Sequence, residues 1–331
     1  MRTPLVGVLP DSTVRAATLA DVSIITDLVR RVSTAAIGVP DGSEDEVRDD
    51  LVGPRFDIGR DTALVIGSDG RVVVYAQAHD EHDDRAFLDV FVSPDFADGM
   101  FAELSGAALS GAKNRIGEAL SERGAITTTV SAGLYHGELR MLAAYEAAGL
   151  SRERVYWRMS IDLELDALPL VQRTAGVTIR PVDPDDDAVM AQALALRNDS
   201  FSEHHGHVDV DFDHYAQAWR SAAKYDRSAW WFAYLDGIAV GLCLGDEAKL
   251  EEGAGYIQTL GVSKSARGRG IARALLLTAF EEYRSRGRQS VQLGVDSINE
   301  TGATRLYESV GMKPILALDS LVMTLTTGAK S

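Results

Sequence analysis

The residues best suited to chemistry lie in the run Leu260-Gly261-Val262-Ser263-Lys264-Ser265-Ala266-Arg267-Gly268-Arg269-Gly270-Ile271-Ala272. A strand-patterned stretch, Tyr256 to Val262, ends there in a loop with two glycines. A helix rich in Ala and Leu is predicted to follow, from about Ile271 to Arg286. The free N–H groups and dipole of a helix N-terminus attract anions. Glycines let the backbone come close to an oxygen-rich ligand. Arg267 and Arg269 add charge, and with Lys264, Arg273, Arg284, Arg286 and Arg288 they place seven basic residues within 25. The chemistry this suits is binding of a phosphate-like anion. The loop is not a Walker A motif, because no Gly-Lys-Ser/Thr follows. It is not the dinucleotide fingerprint either, because Arg273 stands at the third glycine position.

Two further groups could act beside such a ligand. Gln289 to Asp296 reads as the next strand. It leads to Asn299 and then to Ala303-Thr304-Arg305-Leu306-Tyr307-Glu308-Ser309-Val310-Gly311-Met312. Positions 299, 303, 306 and 307 share one helical face, so Tyr307 projects from the side that carries Asn299. The second group is Phe201-Ser202-Glu203-His204-His205-Gly206-His207, followed by Asp209, Asp211, Asp213 and His214. It lacks the helical His-X-X-X-His spacing of a zinc site, so no metal is expected. It reads as a polar loop of carboxylates and imidazoles, in which Glu203, His204 or His205 could accept a proton near neutral pH.

The elements that position these residues occur twice. Each half opens with a short strand, Val14 to Ala17 and Val177 to Pro181. A helix follows, Asp21 to Val32 and Asp185 to Arg197. Two strand-like runs then flank Asp-Gly, at Asp69-Gly70 and Asp236-Gly237, a hairpin signal. Each half closes with a helix that ends in glycine, Gly149 or Gly311, and a last strand, Val155 to Leu163 or Leu316 to Leu325. The order is α+β, not the strict alternation of a doubly wound parallel sheet. The expected domains are residues 1–165 and 177–331, with a linker at 166–176.

Arg267-Gly268-Arg269-Gly270-Ile271-Ala272 resembles motif A of the GNAT superfamily, the Gcn5-related N-acetyltransferases, written Gln/Arg-X-X-Gly-X-Gly/Ala. Asn299 through Met312 is similar to its motif B helix. The resemblance implies two tandem GNAT domains, each a mixed, mostly antiparallel twisted sheet flanked by helices. It implies acetyl-CoA as cosubstrate, lying between two strands that splay apart. The backbone of Leu260, Gly261 and Val262 would then hold the acetyl carbonyl and pantetheine amides. The backbone from Arg267 through Gly268, Arg269, Gly270 and Ile271 to Ala272 would cradle the pyrophosphate. Asn299 would bond the pantetheine arm, and Tyr307 would protonate the leaving thiolate as general acid. The segment from Phe201 to His214 would face the acceptor pocket, where its carboxylates would favour a cationic amine and Glu203, His204 or His205 would accept the proton that the amine loses. The tandem layout resembles the mycothiol synthase subgroup. Many of that group carry an acidic base on the strand before the loop. Here Tyr256 and Gln258 occupy that stretch, and Glu251 and Glu252 lie further back.

In the first half, the place of the loop is taken by Ser93-Pro94-Asp95-Phe96-Ala97-Asp98-Gly99. Asp95 and Asp98 stand where the second half has Arg267 and Gly270, and two carboxylates would repel a pyrophosphate. The first half is therefore expected to be a degenerate GNAT domain without productive acetyl-CoA binding. The expected function is N-acetyl transfer to the amine of a small molecule, catalysed by the C-terminal half. The alternatives are a non-catalytic acyl-CoA-binding or regulatory protein and a protein lysine or N-terminal acetyltransferase.

Composition narrows the partners. The chain has 331 residues and a formal net charge of −16. Residues 1–170 hold 16 basic and 28 acidic side chains, against 17 and 21 in residues 171–331. This balance opposes binding to nucleic acid or an anionic membrane surface. Cys243 is the single cysteine and falls within a strand pattern, which makes it a core residue rather than a nucleophile. No signal peptide or membrane span is predicted. A cytoplasmic monomer or homodimer is expected.

Overall fold

Strand, hairpin and helix signals recur in the structure close to where the sequence puts them. A computed structural model describes every residue except 54, 83–84, 165–167, 170–174, 203–208, 221–224, 299–301 and 328–331, and leaves out the side chains of 80–82. The chain divides into two compact units: unit 1, Met1–Tyr156 with Leu316–Ser331, and unit 2, Trp157–Ile315.

The elements of the first half are β1 (Thr13–Arg15), α1 (Val22–Ile37), α2 (Glu44–Leu51), α3 (Ile58–Asp61), β2 (Thr62–Ile66), β3 (Val72–His82), β4 (Arg85–Val92), α4 (Asp98–Glu122), β5 (Thr127–Tyr135), α5 (Leu139–Ala147) and β6 (Ser151–Asp162). Those of the second are β7 (Val177–Pro181), α6 (Asp187–Phe201), α7 (Phe212–Arg220), β8 (Trp230–Leu235), β9 (Ile238–Asp246), β10 (Ala254–Val262), α8 (Ile271–Ser285), β11 (Ser290–Asp296), α9 (Ala303–Ser309) and β12 (Lys313–Thr326).

In unit 1 the strands run in the order β1-β2-β3-β4-β5-β12. All its assigned pairings are antiparallel except β4 with β5. One face packs Val74, Ala76, Leu88 and Val90 against Leu104, Leu109 and Ile116 of α4 and Tyr145 of α5. The other packs Leu64 and Tyr75 against Ile25, Leu28 and Val32 of α1 and Val47 of α2. Strand alternation gives the sheet two apolar faces, each covered by amphipathic helices.

Unit 2 repeats the plan as β7-β8-β9-β10-β11. Trp231, Cys243, Ile257 and Leu293 pack against Leu275, Phe280 and Tyr283 of α8 and Tyr307 of α9. Trp230, Phe232, Leu242 and Leu244 face Met190 and Leu196 of α6 and Tyr215 of α7. Each fully buried Leu or Phe here is worth about 1.5–3 kcal/mol against an exposed one. Between β8 and β9, Asp236 (φ 51°) and Gly237 (φ 84°) are both left-handed, the two-residue turn that Asp-Gly favours.

The domain bounds read from the sequence need correction at the last strands. The chain leaves unit 1 within β6 and returns to it within β12. β12, expected to close residues 177–331, pairs with β5 from Leu318 opposite Tyr135 to Thr326 opposite Thr127. Leu321, Met323 and Leu325 join the core of unit 1, whereas Met159 and Ile161 of β6 join that of unit 2. Both strands are apolar with period 2, and that pattern does not say which sheet receives which. The expected linker lies partly outside the described residues.

Candidate functional site

The site starts from an irregularity in β10. Its antiparallel ladder with β9 pairs Ile257 with Gly245, then Thr259 with Leu244, so Gln258 is an extra residue. Such a bulge bends the strand and increases its twist. Tyr283 of α8 supports it from below. Its hydroxyl lies 3.1 Å from the Tyr256 carbonyl and 3.2 Å from that of Asp246. A Cβ on Gly255 would lie 2.3 Å from the Tyr283 ring, and one on Gly245 2.1 Å from its hydroxyl. Glycine is required at both positions for this close approach.

The bulge has a consequence on the opposite edge of β10. The parallel ladder with β11 covers Ala254 to Ile257 against Ser290 to Leu293 and stops there. β10 continues to Val262, still paired with β9, and β11 continues to Asp296. The two strands therefore part just beyond Ile257, as expected. Along Gln258 to Val262, the backbone groups on the β11 side have no strand partner among the described residues. An extended ligand that carries amides can complete them. Gln258 is exposed in mid-strand, Leu260 and Val262 are half-buried, and Gly261 is buried.

The loop follows directly. Gly268 (φ 76°) and Gly270 (φ 77°) are left-handed, and a Cβ on Gly268 would meet nothing within 4 Å. Gly270 caps α8. Ala274 is the first residue to bond back, to the Gly270 carbonyl at 3.0 Å. The N–H groups of Ile271, Ala272 and Arg273 thus precede the helical ladder and form the positive end of a 15-residue helix. Arg269 is exposed in the loop, and Arg273 is half-buried on the first turn of α8.

Tyr307 lies in the apolar core of the same unit. It is buried in the cluster to which Leu260 and Val262 belong. Cys243, directly opposite Leu260 in the β9–β10 register, is close enough to act on it electrostatically. Burial pushes the Tyr307 phenol well above its ordinary value, with Cys243 as the second cause. No hydrogen bond holds its hydroxyl among the described residues. Burial likewise pushes the Cys243 thiol up, which keeps it un-ionised and consistent with a core role.

Several candidates stand differently from expectation or beyond description. Glu203, His204 and Asn299 lie outside the described residues, as do His205 and His207. The Arg267 guanidinium bonds the Val262 and Ser200 carbonyls. Glu252 is engaged by Lys249 at 3.1 Å and Gln292 at 3.0 Å. Among the described residues, no cluster of His, Cys, Asp and Glu could hold a metal, and no helix is long and apolar enough to cross a membrane.

Unit 1 has the same parting of strands but fills it. Its parallel ladder ends at Phe87 opposite Ser131. Beyond that point the Asp89 carboxyl bonds the Gly133 backbone, and the Tyr145 hydroxyl bonds the Val90 backbone. Gln77 donates to Asp89 at 3.3 Å and accepts from the Tyr75 hydroxyl at 2.7 Å. In the loop after β4, Arg31 reaches Ser93 at 3.0 Å, and Arg140 bonds the Phe96 carbonyl at 2.7 Å and Asp98 at 3.1 Å. Backbone and charged groups at this place in unit 1 are met by side chains of the unit itself.

Burial, and secondarily Asp50, raise the Asp89 carboxyl to about 8. In an unfolded chain it would ionise near 4. Above that pH the unfolded state releases a proton that the folded state keeps, so stability falls as pH rises and levels off above about 8. Asp89→Asn is expected to raise the melting midpoint by ~5 °C at pH 8, with the gain vanishing near pH 4. Thermal melts across that range check it.

Comparison with known proteins follows this geometry. Residues 190–312 match the sequence model of the Acetyltransferase (GNAT) family. A mycothiol acetyltransferase of Thermobispora bispora is 33% identical over 181 residues, 53% of this chain and 60% of that protein. The match thus spans less than two thirds of the relative's length. One from Rhodococcus erythropolis is 28% identical over 263 residues, 73% of this chain and 78% of its own. Among solved structures, a GCN5-related N-acetyltransferase from Sphaerobacter thermophilus superposes with a TM-score of 0.77 at 28% identity and covers 98% of both chains. A tandem GNAT protein from the clavulanic acid biosynthesis pathway superposes at 0.66 and 16% identity, over 97% of this chain and 100% of its own. Residues 190–312 are thus similar to the GNAT acetyltransferase family, within a fold that a tandem GNAT protein shares over nearly the whole chain.

Proposed function

We propose that unit 2 is an N-acetyltransferase that moves an acetyl group from acetyl-CoA to the amine of a small molecule. The observation that carries this reading is the parting of β10 from β11 beyond Ile257, followed by a left-handed glycine loop at the start of α8. The exposed backbone of Leu260, Gly261 and Val262 suits the amides of a pantetheine arm. The loop from Gly268 to Ala272 suits a pyrophosphate. Asn299, Glu203 and His204 keep the roles that the resemblance and the sequence pattern give them.

In the reaction the amine lone pair attacks the thioester carbonyl carbon and the C–S bond breaks. The thiolate takes its proton from Tyr307, and the proton lost by nitrogen passes to a base on the acceptor side. The relatives named mycothiol acetyltransferases favour a small-molecule acceptor over a protein. The filled gap of unit 1 supports a degenerate N-terminal half, so one acetyl-CoA per chain is expected.

The test is CoA thiol release over a panel of small amines and peptides, with calorimetry of CoA binding. Turnover with small amines and one CoA per chain is expected. Tight CoA binding without turnover on any amine would favour the regulatory alternative. Turnover confined to peptides would favour a protein acetyltransferase.

A further inference from the structure

Arg267 is the loop arginine nearest to β10, and its side chain faces the sheet. Its Nη2 donates to the Ser200 carbonyl at 2.8 Å, and its Nε to the Val262 carbonyl at 3.3 Å. Ser200 lies in the last turn of α6, where carbonyls lack helical partners. A guanidinium there satisfies one of them and sits at the negative end of the helix dipole. Its planar fork can serve both carbonyls at once, which a lysine ammonium does less well.

The same place is a close contact between elements. A Cβ on Gly261 would lie 2.7 Å from the Ser200 hydroxyl oxygen and 2.8 Å from its Cβ. The end of α6 therefore rests on the backbone of β10 at the residue expected to meet the acyl group. The chain that leaves α6 at Ser202 leads into the segment with Glu203 and His204, the acceptor-side candidates.

We propose that Arg267 is a positioning residue and not a phosphate ligand. It fastens the last turn of α6, from which the chain runs on toward Glu203, to the end of β10 and the loop. Acceptor binding thereby depends on a residue of the cofactor motif. Arg269, exposed two residues on, is the phosphate partner. The assignment of these roles rests on unit 2 binding acetyl-CoA.

The test uses the full chain with Arg267→Ala, Arg267→Lys and Arg269→Ala. CoA affinity is read by calorimetry, the last turn of α6 by hydrogen exchange, and KM for both substrates with the best amine of the panel. Arg269→Ala should weaken CoA by about tenfold, the worth of one charge-assisted hydrogen bond. Arg267→Ala should leave CoA affinity and the KM for acetyl-CoA within about threefold, speed exchange at residues 196–202 about tenfold, and raise the KM for the amine to a similar degree. Arg267→Lys should recover part of both effects. Loss of CoA affinity in Arg267→Ala as large as in Arg269→Ala would overturn the proposal, and so would unchanged exchange in α6. Failure of the parent protein to bind CoA would overturn the reading of unit 2 instead, while the exchange measurement would still decide whether Arg267 holds α6.

Discussion

Tyr307→Phe is expected to lower acetyl transfer by ~10²–10³-fold, the usual worth of a positioned general acid, and to leave CoA affinity nearly unchanged. The ring packs within the unit 2 core and phenylalanine preserves that packing. Only the hydroxyl is lost, and no protein group is bonded to it among the described residues. Burial raises the phenol well above its ordinary value, so it holds its proton throughout the neutral range. A group in that state is a donor. As the proposed acid it would act only when the C–S bond breaks and a thiolate appears, so its removal should act on the transition state and not on binding. Single-turnover kinetics with calorimetry of CoA binding separates the two. Equal losses in rate and affinity would make Tyr307 a packing residue. An unchanged rate would remove it as the acid.

Tyr145 is the informative comparison. It occupies the corresponding helix end in unit 1, and both tyrosines come from a helix that ends in a left-handed glycine, Gly149 (φ 96°) or Gly311 (φ 97°). The sequence shows that correspondence readily. It does not show that the Tyr145 hydroxyl is taken up by the Val90 backbone while that of Tyr307 is not. The difference depends on distances across a strand gap, and local pattern carries no information about those.

The same limit divides the rest of the site. The loop, its glycines and α8 were legible because an anion site at a helix N-terminus is built from consecutive residues. The Asp-Gly turns were legible because left-handed backbone selects its residue types. The exchange of last strands was not, because β6 and β12 are interchangeable in pattern and only packing against distant helices tells them apart. Nor was the direction of Arg267. An arginine in a glycine loop reads as a ligand for phosphate, and the carbonyls it meets belong to Val262 and to Ser200, 67 residues away. Tyr283 reads as one more apolar position of α8. Its support of the Gln258 bulge appears only once Gly245 and Gly255 are seen to leave room for it.

The charge contrast between the halves leads to the second large effect. Asp98 in unit 1 stands where unit 2 has Gly270, so Gly270→Asp writes the first loop's charge onto the second. Gly270 is left-handed at φ 77°, and Asp and Asn tolerate that region better than other residues with a side chain. A carboxylate at the start of α8 also interacts favourably with the helix dipole, by about 0.3–1 kcal/mol. The fold should therefore melt within a few degrees of the parent. A pyrophosphate held at the same N–H groups would meet the new charge at close range. At ~6 Å and an effective dielectric near 20, one pair of like charges costs about 3 kcal/mol, a loss of affinity near 100-fold. Gly270→Asn has the same shape without the charge and should lose less than about tenfold. Calorimetry of CoA binding to both variants, beside thermal melts, reads the comparison. Equal losses in the two would mean that the loop needs glycine for shape alone. A large gap between them would mean that the acidic residues of the first loop suffice to keep a pyrophosphate out, whatever becomes of its strand gap.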